Sequence, residues 1–262
     1  MSADIPTGYK DVDPRTARRV PLWHVLDGDG PLFDGDPPFT HEVVATIADQ
    51  GFLLERVTGL GTHTGTHVSA PAHFVPDGPL LSGLGEGWAL MPLVVIDVRA
   101  GAGARGGDLV VGRPDAERFE DEHGPIPRGA CVLLLTGFAE RWADGTRRYH
   151  DPAPGFSADL VAWLFDVREI RAVGSDTFGP DASADTSWTA SSAALHRGGI
   201  TIENVGPGLA LMRPFGDWVA VNGPRPGFSG FPVGITGFTV PEVRGGDRPD
   251  PDTRRSGRVA YP

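Results

Sequence analysis

The sequence predicts one α/β domain, and three observations lead to that prediction. Two continuous apolar runs, LVVID at 93–97 and CVLLLT at 131–136, are typical of strands that are buried on both faces. Helical patterns alternate with strand patterns along the chain, and no linker divides its 262 residues. The 37 glycines and 25 prolines predict many turns and short elements rather than a helical bundle.

The chain divides into an arm, a domain and a tail. Residues 1–40 are punctuated by prolines, and we expect an N-terminal arm of short extended pieces that covers the domain. The α/β domain follows over residues 41–243. Residues 244–262 are rich in Arg, Asp, Gly and Pro and are predicted to form a flexible tail.

Local patterns predict the elements of the domain. Thr40 is expected to cap a short helix that ends at Gly51, and FLLERVTGL then alternates apolar and polar residues as a strand does. RPDAERFEDEH is predicted to be a polar surface helix, and Ser157 opens SADLVAWLFD, a helix with one apolar stripe. A small-residue helix and further strands complete the pattern, near 191–196 and near 172–175, 200–203, 218–222 and 231–240.

Composition excludes several classes of function. Acidic residues outnumber basic ones by 34 to 23, and a net charge of −11 argues against nucleic-acid or anionic-membrane partners. The single cysteine excludes an internal disulfide framework and a Cys-rich zinc site. The N-terminus shows no basic segment followed by an apolar run, so we expect a cytoplasmic protein.

Three of the eight histidines lie within eleven residues, in HTGTHVSAPAHF. If residues 63–69 form a strand, its two-residue period places His63, His67 and Ser69 on one face. Pro71 ends the regular pairing and lets His73 curl back toward that face. Neutral imidazoles bind divalent cations, and an imidazole also acts as an acid or base near pH 7. The segment is therefore a candidate site.

HTGTHVSAPAHF resembles the signature H-x-G-T-H-x-D-x-P-x-H of a cyclase superfamily that includes bacterial kynurenine formamidase, isatin hydrolase and polyketide-type cyclases. Other segments agree in order, so that the resemblance covers roughly residues 20–240: PLFDGDPPF, VVIDV, LLLTGF, AVGSDTFGPD, ITIEN and GFSGFPVGI. The resemblance implies a swivelling β/β/α fold with a mixed sheet. It also implies a homodimer or homotetramer that acts on a small-molecule substrate.

The resemblance assigns roles to residues of this chain. His63 and His67 match two metal ligands, His73 matches a proton shuttle, and Glu203 matches a late glutamate ligand. Ser69, however, stands where the family has an aspartate that bridges two metals. A neutral hydroxyl is a weak ligand for hard or borderline cations.

The second departure concerns a late histidine ligand. By resemblance its position falls at Ser191 or Ser192, and His196 lies only seven residues before Glu203. A binuclear site is therefore not expected. Two alternatives stay open: a single Zn or Mn on His63, His67 and Glu203, or no metal, with these side chains acting as acid and base.

No nucleotide cofactor is expected. GAGARG at 101–106 matches G-x-G-x-x-G, but the residues after it do not predict the helix that must begin at the third glycine, so a flexible loop is expected. Asp176 and Asp181 stay open between a place in the site and an Asp-stabilised turn.

The leading functional hypothesis is acid/base chemistry, such as ring closure or dehydration, on a small organic substrate of secondary metabolism. His73 is expected to move the proton and Ser69 to donate a hydrogen bond to a substrate oxygen. Trp23, His24 and Phe33 of the arm are candidates for stacking on a planar substrate. One alternative is a metal-dependent amide or lactone hydrolase, and another is a non-catalytic binding or partner subunit.

Overall fold

A nine-stranded mixed sheet forms the centre of the molecule. The computed structural model describes residues 6–10, 13, 16–105, 109–144 and 149–239. The strands are β1 (Arg18–Pro21), β2 (Thr40–Ala45), β3 (Leu54–Thr58), β4 (His67–Ser69), β5 (Leu90–Asp97), β6 (Val110–Val111), β7 (Cys131–Leu135), β8 (Gly155–Phe156), β9 (Ala172–Ser175), β10 (Ile200–Glu203), β11 (Asp217–Asn222), β12 (Gly230–Pro232) and β13 (Gly234–Thr239).

The central sheet has the strand order β1-β13-β11-β5-β7-β9-β10-β4-β12. Its middle strands β5, β7, β9 and β10 are parallel to one another, and the outer strands pair antiparallel. Two small sheets, β2-β3 and β6-β8, stand apart from it. The predicted α/β class with a mixed sheet is confirmed.

The α-helices are α1 (Ile47–Gln50), α2 (Arg99–Arg105), α3 (Arg113–His123), α4 (Ala158–Val167) and α5 (Thr189–Leu195). Short 3-10 turns lie at Pro71–His73, Leu81–Gly83, Glu86–Trp88, Phe138–Asp144 and Pro207–Leu211. The predicted helices α3 and α4 are confirmed. Ser157 caps α4, because its hydroxyl accepts a hydrogen bond from the Leu160 amide. No helix in the described ranges is long and apolar enough to cross a membrane.

The core lies on both faces of the parallel strands. Leu93 and Val95 of β5 belong to one buried cluster, and Val94 and Ile96 belong to a second one on the other face. Residues of α3, α4 and α5 pack in the second cluster. The two apolar runs are therefore strands buried on both faces, as the sequence predicts.

Two local predictions are wrong. The segment after Thr40 begins as strand β2, and the helix cap is Thr46, whose side chain accepts a hydrogen bond from the Asp49 amide. The β-branched residues before Thr46 favour the strand. GAGARG was expected to be a loop, but α2 begins at Arg99, whose amide donates to the Asp97 carboxylate.

The structure describes much of the predicted N-terminal arm but none of the predicted C-terminal tail. The arm does more than cover the domain, because its strand β1 pairs with β13 and forms one edge of the central sheet. The predicted tail at 244–262 lies outside the described residues, as do residues 106–108 after α2.

Candidate active site

The site is built around the short strand β4, which lies between β10 and β12. On β10, Glu203 pairs with His67 and Thr201 pairs with Ser69; on β12, Gly230 pairs with Ser69. Paired residues share a face of a sheet, and so do alternate residues of one strand. This register therefore gathers an imidazole, two hydroxyls and a carboxylate at one place.

His63 reaches the same place by a different route from the predicted one. Only residues 67–69 form a strand, and Gly65 adopts a left-handed conformation with φ of 65°. The turn brings the His63 ring over Gly230, where an added Cβ would lie 2.3 Å from the His63 Cε1 atom. A residue without a side chain at position 230 therefore leaves the room that the ring fills.

Three side chains form a hydrogen-bonded relay, which we define as His63, Ser69 and Glu203. The Nδ1 atom of His63 lies 3.1 Å from the Ser69 Oγ atom, and this hydroxyl donates to Glu203 Oε1 at 3.1 Å. Thr201 donates to the same carboxylate oxygen at 2.8 Å. Because Ser69 donates its only hydroxyl proton in the hydrogen bond to Glu203, its oxygen accepts a hydrogen bond from His63 Nδ1. The Nε2 atom of His63 then carries a lone pair, 3.5 Å from the Ser229 hydroxyl.

A buried polar network fixes the orientation of the His67 ring through its Nδ1 atom. Its Nδ1 atom donates to the Gly65 carbonyl at 2.8 Å, and the side-chain amide of Asn204 donates to the same carbonyl at 2.8 Å. The Tyr149 hydroxyl lies 3.0 Å from the Asn204 side-chain oxygen. The Nε2 atom of His67 is buried, lies 3.3 Å from Glu203 Oε2 and has no well-aligned hydrogen-bond partner in the described part of the chain.

His73 lies on the solvent side of the cluster. The 3-10 turn Pro71–His73 carries it back toward the strand, and its ring stacks on the His63 ring with centroids 4.0 Å apart. His73 is exposed, His63 is half-buried and His67 is buried. The three rings therefore form a row from solvent to the buried carboxylate.

Burial and mutual charge set the protonation of this row. Burial, with the nearby His67 and His73, lowers the pKa of His63 to about 4. The partial desolvation of His73 against its neighbours also lowers its pKa, although the charge of Glu203 opposes that effect. Burial alone would raise the pKa of Glu203, but the charge of the adjacent His67 and the hydrogen bond from Thr201 outweigh it and bring that pKa to about 2. Glu203 in turn raises the pKa of His67 against the effect of burial. His63 and His73 are neutral at pH 7, and Glu203 is ionised.

The late histidine position holds no ligand. Ser191 is buried and donates from its hydroxyl to the Asp181 carboxylate. His196 is exposed, and its Nδ1 atom lies 2.9 Å from the Ser192 carbonyl of its own helix, so it does not enter the site.

The donors that are present do not fit the expected metal set. Within the described ranges, no group of three His, Cys, Asp or Glu side chains is placed to hold a metal ion. His67 Nε2 and Glu203 Oε2 form a pair of donors, but the Ser69 hydroxyl replaces the third strong ligand. A zinc site has three or four protein ligands, so this donor set is incomplete.

One arm residue is bonded to the loop before β4, because the His24 backbone amide donates to the Thr66 hydroxyl. Trp23 and His24 line a separate, mostly apolar cavity of about 370 Å³. The His24 ring is stacked on Trp142 at 4.0 Å, and Phe33 is exposed with its ring edge-to-face with Phe178. A role in substrate binding stays a prediction for all three.

Asp176 and Asp181 support turns. The Asp176 carboxylate is buried and accepts hydrogen bonds from the amides of Thr136 and Gly137 and from the Thr136 hydroxyl. Asp181 accepts from the Ala190 amide at the start of α5. Both carboxylates thus connect neighbouring loops and elements around the site.

Sequence reasoning missed several residues that shape the site. Thr201 was detectable, because it lies two residues before Glu203 in a strand and therefore shares its face. Tyr149, Asn204, Ser229 and Gly230 carry no such local signal, since their contacts join residues that lie 27 to 167 positions apart in the chain.

Comparisons with known proteins identify the family of this chain. Residues 16–182, well over half of the chain, match a family model described as "Putative cyclase". The chain is 27% identical over 191 residues to kynurenine formamidase of Bacillus mycoides (strain KBAB4), which covers 73% of this chain and 83% of that protein.

Two solved structures have the same fold. Isatin hydrolase A from Ralstonia solanacearum superimposes with a TM-score of 0.77 at 24% identity, over 85% of this chain and 92% of that one. A structure described as a predicted metal-dependent hydrolase from Bacillus stearothermophilus gives 0.64 at 18% identity, over 85% and 98%. The expected swivelling β/β/α fold is confirmed. The chain therefore belongs to the cyclase family, and it is a hydrolase-like enzyme of that family.

Proposed function

We propose that the protein is an acid/base enzyme that catalyses ring closure or dehydration on a small aryl carbonyl compound. The observation that carries the proposal is the relay His63–Ser69–Glu203, with His73 stacked on its outer end. The relay fixes a neutral imidazole with an unprotonated Nε2 atom, and a carboxylate lies on the other side of Ser69. This is the arrangement that a general base requires.

In the proposed reaction, His63 Nε2 removes a proton from a carbon next to the substrate carbonyl. The Ser69 hydroxyl and the Glu203 carboxylate stabilise the resulting imidazolium through the relay. A hydroxyl group leaves the neighbouring carbon with a proton delivered through His73, so a double bond and one water form. The proton on His63 returns to solvent through His73, which balances the reaction.

Ser69 takes a different role in this proposal from the one predicted. It is fully buried, and its proton points to Glu203, so it acts through His63 rather than on a substrate oxygen. We therefore count His63 and His73 as catalytic residues, and Ser69 and Glu203 as positioning residues.

The substrate class rests on the relatives and on the arm. The relatives are named for kynurenine formamide and isatin, which are aryl carbonyl compounds. Trp23 and Phe33 expose aromatic rings on the arm, and we propose that a planar natural-product substrate covers them. We propose the cytoplasm as the location, because Cys131 is buried and free and the chain needs no oxidising compartment.

A panel of aryl β-hydroxy ketones tests the proposal, with water loss followed by mass spectrometry. We expect turnover that a chelator leaves unchanged and that falls about 10²- to 10⁴-fold in His63→Gln. Metal content is measured in the same preparation. Near-stoichiometric Zn or Mn, together with chelator-sensitive activity, would overturn the acid/base proposal.

One observation favours a second candidate, a metal-dependent amide or lactone hydrolase. The buried Nε2 atom of His67 lacks a well-aligned partner and faces Glu203, so a cation bound between them would satisfy both groups. Isatin and N-formylkynurenine are the probes for this activity. Hydrolysis that requires added Zn or Mn would support it.

A further inference from the structure

A cavity of about 300 Å³ lies at the end of the central sheet opposite to the relay. Its lining includes residues that come just before three neighbouring parallel strands: Gly129 before β7, Arg171 before β9 and Gly199 before β10. Ile200 begins β10 and Glu203 ends it, about 10 Å away, because a strand rises about 3.3 Å per residue. The cavity is therefore separate from the catalytic side chains.

Buried apolar side chains form one part of the cavity lining. Trp88 and Phe165 are 7% and 9% exposed, and Ile170 and Ile200 are also buried. The Phe165 ring occupies the space that a side chain at Gly199 would fill, since an added Cβ there would overlap with the ring. A volume near 300 Å³ is at the lower end for small-molecule cavities, so it suits one aromatic ring with a short substituent.

Two glycines make room for the Arg171 side chain in the same cavity. An added Cβ at Gly87 would overlap with the Arg171 guanidinium, and one at Gly129 would lie 3.5 Å from its Nε atom. The guanidinium therefore lies against the backbone of the 3-10 turn Glu86–Trp88, in a position that a side chain at residue 87 would block. Arg171 is exposed, so its charged group can meet a ligand from solvent.

The positive charge of Arg171 is not balanced within the described ranges, where its guanidinium makes no ion pair and no hydrogen bond. In a chain with a net charge of −11, an unbalanced cation in a concave surface attracts an anionic ligand. Acidic side chains in or next to the lining have other partners at 2.7–2.9 Å: Glu86 pairs with Arg225, Asp166 with Arg197 and Glu169 with Arg128.

We propose that this cavity binds a small aromatic carboxylate, with the ring against Trp88 and Phe165 and the carboxylate on Arg171. A guanidinium binds a carboxylate through two parallel hydrogen bonds. One unbalanced positive charge matches one negative charge, which favours a carboxylate over a phosphate dianion. The site is independent of the chemistry proposed above, because it lies at the other end of β10 from Glu203.

Isothermal titration calorimetry with benzoate tests the ligand class. We expect one site per chain, and we expect the neutral analogue benzamide to bind at least about 10-fold more weakly. An absence of saturable benzoate binding, or equal affinities for benzoate and benzamide, would overturn the proposal. Acetate that binds as tightly as benzoate would refute the aromatic part of the ligand. Phenyl phosphate that binds more tightly than benzoate would refute the carboxylate.

Two substitutions test whether Arg171 holds the ligand. Gly87→Ala keeps every charge but displaces the guanidinium, and Arg171→Gln removes the charge. Each should weaken benzoate binding by about 10- to 100-fold, because each removes a charge-assisted pair of hydrogen bonds. The matched control for the glycine is Gly85→Ala, where an added Cβ meets nothing within 4 Å. Arg118→Gln, at an exposed arginine of α3, controls for the loss of one surface charge.

Circular dichroism checks that each variant is folded. Benzoate binding in Arg171→Gln that equals that of the wild type would place the ligand elsewhere and overturn the proposal. A His63→Gln chain should bind benzoate as the wild type does, since the relay is at the other end of the strand. Weaker binding in His63→Gln would assign benzoate to the relay instead of this cavity.

Discussion

Ser69 Oγ lies 3.1 Å from both His63 Nδ1 and Glu203 Oε1, so one buried hydroxyl connects an imidazole to a carboxylate. The contact is set by the pairing of β4 with β10, which places Ser69 opposite Thr201 and beside Glu203. An aspartate at this position would carry a charge next to Glu203. A serine instead transmits the carboxylate's effect to His63 through hydrogen bonds.

Ser69→Ala should therefore lower kcat by about 10- to 100-fold with little change in KM, because the relay positions the base without touching substrate. The pH at which kcat/KM declines on the acidic side should also change, because His63 loses its hydrogen bond to Ser69. Thr201→Val is the matched control, since it removes another hydrogen bond to Glu203 and leaves the relay intact. Equal effects of the two substitutions on kcat would contradict the relay.

His73→Gln should slow the transfer of protons to solvent. We expect a reduction of about 10²-fold in kcat that added imidazole buffer partly restores, because a free imidazole can carry the proton in place of the side chain. His196→Gln serves as control, since His196 is exposed and bonded to its own helix. A rate that is unchanged in His73→Gln would remove His73 from the mechanism.

Gly230→Ala should disturb the site more than the fold. The new Cβ would lie 2.3 Å from His63 Cε1, so the ring must move and the distance from His63 Nδ1 to Ser69 Oγ must change. We expect a loss of activity with a retained cooperative thermal transition. Gly85→Ala, where an added Cβ meets nothing within 4 Å, should have no effect on activity. Full activity of Gly230→Ala would show that the ring position is not required.

Tyr149→Phe should destabilise the network behind His67. The substitution removes the hydroxyl that contacts the buried Asn204 side-chain oxygen and the Asp176 carbonyl, and it should reduce the free energy of unfolding by about 1–2 kcal/mol, measured with urea. The Tyr9→Phe substitution, which removes a buried hydrogen bond to the Leu93 carbonyl far along the chain, is the comparison. Tyr9→Phe should reduce the free energy of unfolding by a similar amount, but only Tyr149→Phe should also change kcat.

The free energy of unfolding should decrease at acidic pH, because Glu120 becomes protonated there. Burial opposes ionisation of this carboxyl, but hydrogen bonds from Arg168 and from the Ile126 amide outweigh burial and lower its pKa. The stabilisation is therefore complete above the ordinary carboxyl pKa and is lost as pH falls through the lowered one. Glu120→Gln should reduce the free energy of unfolding by about 1–3 kcal/mol near neutral pH, and the difference should shrink toward about pH 3.

Glu122→Gln, at an exposed neighbour on the same helix, is the control for this titration. A Glu120→Gln difference that stays constant between neutral and acidic pH would contradict the assignment.

Sequence patterns predicted the parts of the fold that depend on periodicity. The buried runs of β5 and β7 and the amphipathic α4 are recognisable because burial repeats along each element. The start of β2 was missed because Thr40 and Thr46 are both possible caps, and only the hairpin pairing distinguishes them.

Some features of the site could likewise be predicted from the sequence, and others depend on how distant strands pair. The resemblance brought His63, His67, His73 and Glu203 together without coordinates. The role of Ser69 depends on which neighbour receives its proton, and that depends on the register between β4 and β10. Local sequence does not specify the register between strands that lie 134 residues apart.

The three-residue strand β4 is fixed by backbone pairing on both sides, with β10 and with β12. The backbone hydrogen bonds that hold it in place are therefore independent of the hydrogen bonds that the side chain at position 69 makes. Evolution can exchange an ion ligand for a hydroxyl there while the neighbouring imidazoles keep their places. A family built on such a strand can acquire new reactions by one substitution at a time, without passing through unfolded intermediates.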